Sequence, residues 1–148
     1  MRFGGIVKVA PQHSRATYFL DENLEGATLE ALLAEASVAV VPHRKLFSRG
    51  ARDEDWIPKV AKHGYVIVTK DVAIKTKPTQ RALIEQYKTT FLFLRVPMAQ
   101  TAETASLLIM HYEGVCNHVR KLAPPIILAI TKTGLHKELG ERRGGVKR

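Results

Sequence analysis

Three acidic clusters are the groups in this sequence most able to do chemistry. They are Asp21-Glu22, Asp53-Glu54-Asp55 and Asp71. The first and the third each follow a short apolar run, and the second stands where a helix is predicted to begin. Carboxylates gathered at one site repel each other, and a folded protein tolerates this when a cation compensates their charge. Because oxygen ligands select Mg²⁺ or Mn²⁺ and not zinc, the clusters predict a divalent-cation site.

Each acid taken alone also has an ordinary structural interpretation. Asp53 is suited to cap a helix, Asp71 to form a turn, and Glu22 to lie on the surface as a solvated charge. The histidines offer no better metal site, because apart from the step between His111 and His118 they form no spaced pair. A metal site therefore requires that the fold bring the acidic clusters together.

Apolar, β-leaning runs alternate along the chain with segments of helical periodicity. The predicted strands are 16–20, 38–41, 65–68, 90–94 and 126–130. The predicted helices are 24–36, 54–63, 79–87 and 101–122. Nearly continuous apolar strands between helices predict an α/β fold of three layers, α/β/α, with a mostly parallel central sheet. Right-handed crossovers bring the C-terminal strand ends to one edge, where Asp21 and Asp71 are expected to lie.

The length of the chain favours a single domain. With 148 residues it can bury one core but is too short for two ordinary domains. We expect one domain over residues 1–131 and a basic tail over 132–148 with the composition of a disordered segment. No apolar stretch approaches the ~20 residues that cross a bilayer, and the N-terminus lacks the features of a secretory signal. With Cys116 as the single cysteine, a soluble protein of the cytoplasm is the expectation.

The net charge points to a polyanionic partner. Lys and Arg number 23 against 14 Asp and Glu, which gives a charge of +9 and a pI near 9.9. This balance is expected of a chain that meets nucleic acid or an acidic protein. Basic residues flank the acidic clusters, and they include Arg49, Arg52, Lys70 and Arg81. Positive charge is therefore expected beside the candidate metal site.

Three motifs resemble those of a known family. They are T-Y-F-L-D-E-N-L at 17–24, G-A-R-D-E-D-W-I at 50–57 and V-I-V-T-K-D at 66–71. Over residues 16–95 their order and spacing resemble PIN-like domains related to ribonuclease toxins of type II toxin–antitoxin pairs. The resemblance implies a three-layer fold and RNA phosphodiester cleavage that depends on Mg²⁺ or Mn²⁺. It implies RNA and an antitoxin-like protein as partners, and whether the chain forms a homodimer stays open.

The resemblance also implies roles for particular residues. The catalytic and metal-binding positions are Asp21, Asp53 and Asp71, with Glu22, Glu54 and Asp55 as weaker metal candidates. The candidate substrate-binding residues are Lys70, Arg81, Arg52 and Arg49. A cation held by the acids would polarise a phosphoryl oxygen and supply a bound water as the nucleophile. Lys70 and Arg81 would then steady the charge that develops on the phosphate.

The sequence departs from the family pattern directly after the third motif. Val72-Ala73-Ile74-Lys75 follows Asp71, so the further acid often found just downstream is absent. This departure puts a second metal ion, and activity itself, in question. The alternative function is a non-catalytic module that binds nucleic acid or protein and keeps the fold. Divalent-metal binding separates the two, because only the nuclease requires it.

Overall fold

A six-stranded sheet forms the centre of the protein. The fold is that of a computed structural model, which describes residues 15–71, 73–97 and 99–144. Expectations for residues 1–14 and 145–148 lie outside the described residues. In chain order the strands are β1 (Thr17–Leu20), β2 (Ala39–Pro42), β3 (Val66–Thr69), β4 (Thr90–Leu94), β5 (Leu122–Thr131) and β6 (Gly134–Arg142). Their order across the sheet is β2-β1-β3-β4-β5-β6, and every neighbouring pair is parallel except β5 and β6.

Helices connect the parallel strands and cover both faces of the sheet. In the described ranges they are α1 (Ala27–Glu35), α2 (His43–Leu46), α3 (Asp53–His63), α4 (Ala73–Thr76), α5 (Pro78–Gln86), α6 (Thr101–Met110) and α7 (Tyr112–Lys121). Side chains alternate along a strand, so Tyr18 and Leu20 join the core under α1, α6 and α7. Phe19 joins the opposite core under α3, α4 and α5. The predicted three-layer α/β/α fold is confirmed. None of the helices in this part of the chain could span a membrane.

The parallel register brings three strand ends to one edge of the sheet. Leu20, at the end of β1, pairs with Pro42 of β2 and with Val68 of β3. The residues that follow these strands therefore emerge side by side, as expected for an open α/β sheet. Asp21 follows β1, and Asp71 follows β3 after one intervening residue. This C-terminal edge is where the candidate site is built.

Two predicted helices differ in their bounds. The first was expected from residue 24, but residues 21–25 form a turn because the amides of Leu24 and Glu25 both donate to the Asp21 carbonyl at 3.0 Å. The predicted helix 101–122 is two helices that meet at His111. The second of these packs on β6, where a Cβ on Gly114 would lie only 2.9 Å from the Leu135 side chain. That close packing sets the direction of α7 separately from α6.

The expectation of a disordered tail is wrong for residues 134–142. These residues form β6, which pairs with β5 across a two-residue turn. Glu138 anchors the strand through ion pairs with Lys75 and with Arg95, the latter at 2.9 Å. Leu139 is half-buried against the sheet. Because ion pairs and partial apolar burial offset the charge of this segment, the domain extends beyond the predicted boundary at residue 131.

Candidate active site

Asp21 is a buried carboxylate at the C-terminal end of β1. Its residue is 8% exposed, and its backbone amide donates to the Val68 carbonyl at 3.2 Å. One carboxylate oxygen, Oδ1, accepts a hydrogen bond from the Leu24 amide at 2.9 Å. The other, Oδ2, accepts from the hydroxyl of Thr69. The turn after β1 and the end of β3 together fix the orientation of this carboxylate.

Thr69 connects the two aspartates that end β1 and β3. While its hydroxyl donates to Asp21, its Oγ1 accepts from the Asp71 amide at 3.0 Å. Asp71 in turn uses its Oδ1 to accept from the Ala73 amide at 3.0 Å, which starts the short helix α4. Thr69 is fully buried and was not predicted as a site residue, although it stands in the quoted V-I-V-T-K-D motif. It acts as a positioning residue for both carboxylates.

A cavity of about 220 Å³ lies between these strand ends. Its lining residues are Asp21, Asn23, Leu24, Lys70 and Asp71. Burial raises the pKa of the Asp21 carboxyl, and the negative charge of Asp71 raises this pKa further. Hydrogen bonds from Thr69 and from the Leu24 and Asn23 amides lower it, but the net direction is upward. A cation between the two carboxylates would relieve their repulsion.

Asp53 is held by its own neighbours. It begins α3, where its Oδ1 accepts from the indole nitrogen of Trp56 at 3.1 Å. Its Oδ2 receives a longer contact of 3.5 Å from Gln80 of α5. Within residues 15–71, 73–97 and 99–144, no group of three or more His, Cys, Asp or Glu lies close enough together to hold a metal ion. The structure thus brings Asp21 and Asp71 together, and the expectation that Asp53 shares one coordination shell with them is not met.

The weaker acidic candidates also have partners away from the cavity. Both oxygens of Glu22 accept from the Gly50 amide, at 3.0 and 2.9 Å, so Glu22 fixes the loop before α3. Glu54 and Asp55 are exposed and lie 3.7 and 3.3 Å from the guanidinium of Arg52. These surface pairs neutralise the charge of Arg52, which does not line the cavity.

Lys70 is the candidate cation that the fold places at the cavity. It is exposed, and its ammonium group has neither an ion pair nor a hydrogen bond among the described residues. Arg81 instead pairs with Glu85 at 3.1 Å and donates to the Lys75 carbonyl at 3.4 Å. Arg49 is 96% exposed and lies 3.9 Å from Glu22. Of the four predicted substrate-binding residues, only Lys70 faces the two aspartates.

His43 is a buried polar residue that sequence reasoning missed. It follows β2, is 1% exposed, and packs against the rings of Phe19, Phe47 and Trp56. Neither ring nitrogen has a hydrogen-bond partner in the described part of the chain. An unsatisfied buried polar group costs roughly 1 to 3 kcal/mol. The sequence places only Phe47 near His43, because the other two rings, Phe19 and Trp56, come from more distant parts of the chain.

The donor set is compatible with a partly hydrated divalent cation. Mg²⁺ in proteins is commonly bound by one or two carboxylates, with waters and substrate phosphates completing the shell. Asp21 and Asp71 supply two carboxylates on one cavity. No cysteine is available there, since Cys116 is buried and its Sγ lies 3.4 Å from the Ala16 amide, just before the start of β1. The site suits a hard, oxygen-liganded metal.

An open, mostly parallel sheet with a carboxylate pair and a lysine at its C-terminal edge defines an α/β domain with a polar crevice at that edge. The family model for a PIN-like domain matches residues 16–96, which is more than half of the chain. The chain therefore belongs to the PIN-like domain family. Neither a curated protein nor a solved structure matches the chain. The family match includes all three acidic motifs and leaves a relation to ribonuclease toxins as a proposal.

Proposed function

We propose that this PIN-like domain is a ribonuclease that depends on Mg²⁺ or Mn²⁺. The observation that carries the proposal is the pair of carboxylates, Asp21 and Asp71, on one cavity beside the unpaired Lys70. Burial, and then the negative charge of Asp71, raise the pKa of the Asp21 carboxyl, so ionisation of Asp21 is opposed unless a cation is bound. Membership of the PIN-like family supports a nuclease-type module.

Asp21 and Asp71 would hold the cation, and Thr69 would keep both carboxylates in place. When bound, such a cation supplies polarisation of a phosphoryl oxygen and a water activated as a nucleophile. Lys70 contributes a positive charge that offsets charge on the phosphate in the transition state. In this proposal Asp53 stabilises the start of α3 and does not bind the cation, because its oxygens already accept hydrogen bonds from Trp56 and Gln80.

RNA as the substrate and a toxin-like role are the finer parts of the proposal. They are supported by the net charge of +9 and by the resemblance of the three motifs to ribonuclease toxins. A chain of this kind would be neutralised by an antitoxin-like protein, and an acidic surface on that protein would suit the positive charge. RNA is therefore the proposed substrate, and a small acidic protein is the proposed regulator.

A second candidate is a non-catalytic module that binds nucleic acid or protein. The observation that favours it is the engagement of Asp53, which leaves only two of the three predicted carboxylates at the cavity. Such a module would keep the basic surface and would not need a divalent metal. The same protein would then bind RNA without cutting it.

The deciding experiment is an RNA cleavage assay with Mn²⁺, Mg²⁺ or a chelator. Wild-type protein should cut single-stranded RNA only with metal, and Asp21→Asn and Asp71→Asn should each lower the rate by at least about a hundredfold. Glu35→Gln is the matched control, since it removes one exposed acid at the end of α1, away from the cavity. RNA binding without cleavage in either metal would favour the non-catalytic module.

A further inference from the structure

A second cavity of about 370 Å³ adjoins the one between the two aspartates. It lies between the first turn of α1 and the first turn of α6. The two cavities share Asn23, Leu24 and Lys70 in their walls. Its size is within the range of ~300 to 1,000 Å³ that is usual for ligand sites. A group bound here would be a direct neighbour of one bound over Asp21 and Asp71.

The start of α1 forms one wall of this cavity and presents backbone amides that have no acceptor among the described residues. The helix has nine residues, and its N-cap, Gly26, provides no side-chain cap. The backbone amides of Ala27, Thr28 and Leu29 have no acceptor among the described residues, and all three residues line the cavity. Free amides and the helix dipole at an N-terminus favour a bound anion.

The opposite wall contains an independent sign of a missing partner. Thr104 of α6 lines the cavity and is 3% exposed, yet its hydroxyl makes no hydrogen bond within the described ranges. The first turn of α6 is already capped, because Gln100 and Glu103 form a reciprocal capping box. This helix therefore contributes the hydroxyl, and not its backbone amides, to the cavity. Among the described residues the fully buried side-chain atoms without a partner belong to His43, so the Thr104 hydroxyl has access to the cavity and can donate a hydrogen bond to a ligand oxygen there.

The acidic side chains near the cavity are compensated by basic ones. Lys70 provides an unpaired ammonium group that faces both cavities. Glu25 is the acidic residue in the lining, but its Oε1 accepts from the Arg44 amide at 2.9 Å and from its guanidinium at 3.3 Å. Glu30, in the first turn of α1, pairs with the same guanidinium and accepts from the Gly26 amide at 2.9 Å. Arg44 thus offsets one of these two carboxylate charges and Lys70 offsets the other, so these four side chains carry no net charge.

We propose that this second cavity binds a phosphate group of the nucleic-acid strand, next to the phosphate that lies over Asp21 and Asp71. Three backbone amides, the Thr104 hydroxyl and the Lys70 ammonium group supply donors for its oxygens. The identity of the strand rests on the proposed function, whereas the phosphate site itself does not. The site would fix the register of the strand on the two aspartates, since phosphate contacts position a nucleic acid without reading its sequence.

The first test is a titration of metal-free protein, in the presence of a chelator, followed by amide NMR. Inorganic phosphate should shift the amide signals of Ala27, Thr28 and Leu29. A short RNA with a 5′-hydroxyl tests a phosphate within the chain, and the same RNA with a 5′-phosphate tests a terminal phosphate. Both RNAs should bind with similar affinity if the site takes a phosphodiester. Phosphate titration that leaves these three signals unmoved would overturn the proposal.

The second test uses a matched set of threonine variants. Thr104→Val should bind inorganic phosphate about tenfold more weakly, because it removes one hydrogen bond to a charged group. Thr104→Ser keeps the hydroxyl and should retain the affinity. Thr90→Val is the control, because Thr90 is 7% exposed at the start of β4, on the opposite edge of the sheet. Equal phosphate affinity of Thr104→Val and wild type would overturn the proposal.

These outcomes are distinguishable from failure of the proposed function. Asp21→Asn should abolish cleavage while retaining phosphate binding in the second cavity, because Asp21 does not line it. If the protein binds phosphate at Ala27, Thr28 and Leu29 but does not cut RNA, the phosphate site is supported and the nuclease function is refuted. If the wild type cuts RNA and Thr104→Val binds phosphate with the affinity of the wild type, the nuclease function is supported and the phosphate site is refuted.

Discussion

Asp21 and Asp71 lie on a shared cavity, whereas Asp53 lies at the start of α3 with its carboxylate bonded to neighbouring side chains. All three residues come from acidic motifs, but Asp21 and Asp71 follow strands whereas Asp53 begins a helix. They differ in what their oxygen atoms contact. Asp21 and Asp71 line the same cavity, where the negative charge of Asp71 acts on Asp21. Asp53 instead accepts hydrogen bonds from Trp56 and Gln80.

A motif therefore determines where an acid lies, whereas the groups around that acid determine its role. Two carboxylates that face each other remain a source of repulsion until a cation or a proton arrives. A carboxylate that accepts from a buried indole already stabilises the fold without metal. The two regions should therefore respond oppositely to substitution.

The largest expected effect concerns stabilisation by metal. A cation that binds only the folded protein adds RT ln(1 + [L]/Kd), about 2.7 kcal/mol at a hundredfold excess over Kd. Mn²⁺ should therefore raise the melting temperature of the wild type, and Asp21→Asn and Asp71→Asn should lose most of this rise. Asp53→Asn should keep it. Differential scanning calorimetry with and without Mn²⁺ measures the effect. If all three variants lose the Mn²⁺-dependent rise in melting temperature equally, all three carboxylates bind the metal.

A somewhat smaller effect is expected at Asp53 in the absence of metal. Asp53→Ala removes the acceptor of the Trp56 indole, whose residue is 4% exposed, and should lower the free energy of unfolding by about 2 kcal/mol. Asp53→Asn retains a carbonyl oxygen that can accept the same bond, so it should cost clearly less. Urea unfolding of both variants measures the difference. If both variants are as stable as the wild type, Asp53 has no structural role. The original prediction that it binds the metal is then open again.

Most of the fold follows from patterns that are local in the sequence. Apolar runs such as 90–94 alternate with helical segments, and this alternation is enough to predict a parallel sheet covered on both faces. The strand β6 was missed because its sequence, with Lys137, Glu138 and Glu141, has the composition of a solvated tail. Its stability comes from contacts distant in sequence, including the pairing of Glu138 with Lys75 and Arg95.

The candidate site could be predicted only in part from the sequence. The position of Asp21 and Asp71 at the C-terminal edge of the sheet could be predicted, because Asp21 directly follows β1 and Asp71 follows β3 after one residue, whereas their roles stay predictions. The engagement of Asp53 had a sequence signal, since Trp56 is three residues further along a helix and lies on the same side. Thr104 had none, because the free hydroxyl becomes relevant only where α6 meets the first turn of α1.

The smallest expected effect is on the pH dependence of the metal-free protein. Burial, and then the charge of Asp71, hold the pKa of Asp21 above its ordinary value. The folded state therefore binds a proton more readily than the unfolded state, so this carboxylate lowers the free energy of unfolding as pH rises between the two pKa values. The penalty is complete above the raised folded pKa and is relieved as pH falls through it.

Asp21→Asn should consequently stabilise the metal-free protein slightly at pH 7, by less than about 1 kcal/mol. The gain is limited because asparagine has a single acceptor oxygen, so the two side-chain positions cannot accept from both the Thr69 hydroxyl and the Leu24 amide. The difference between variant and wild type should shrink as the pH is lowered, whereas Glu35→Gln should show no such trend. Urea unfolding with a chelator, at pH 7 and at acidic pH, measures this. If Asp21→Asn instead destabilises the metal-free protein and leaves the Mn²⁺ response intact, Asp21 is a structural turn residue like Asp53.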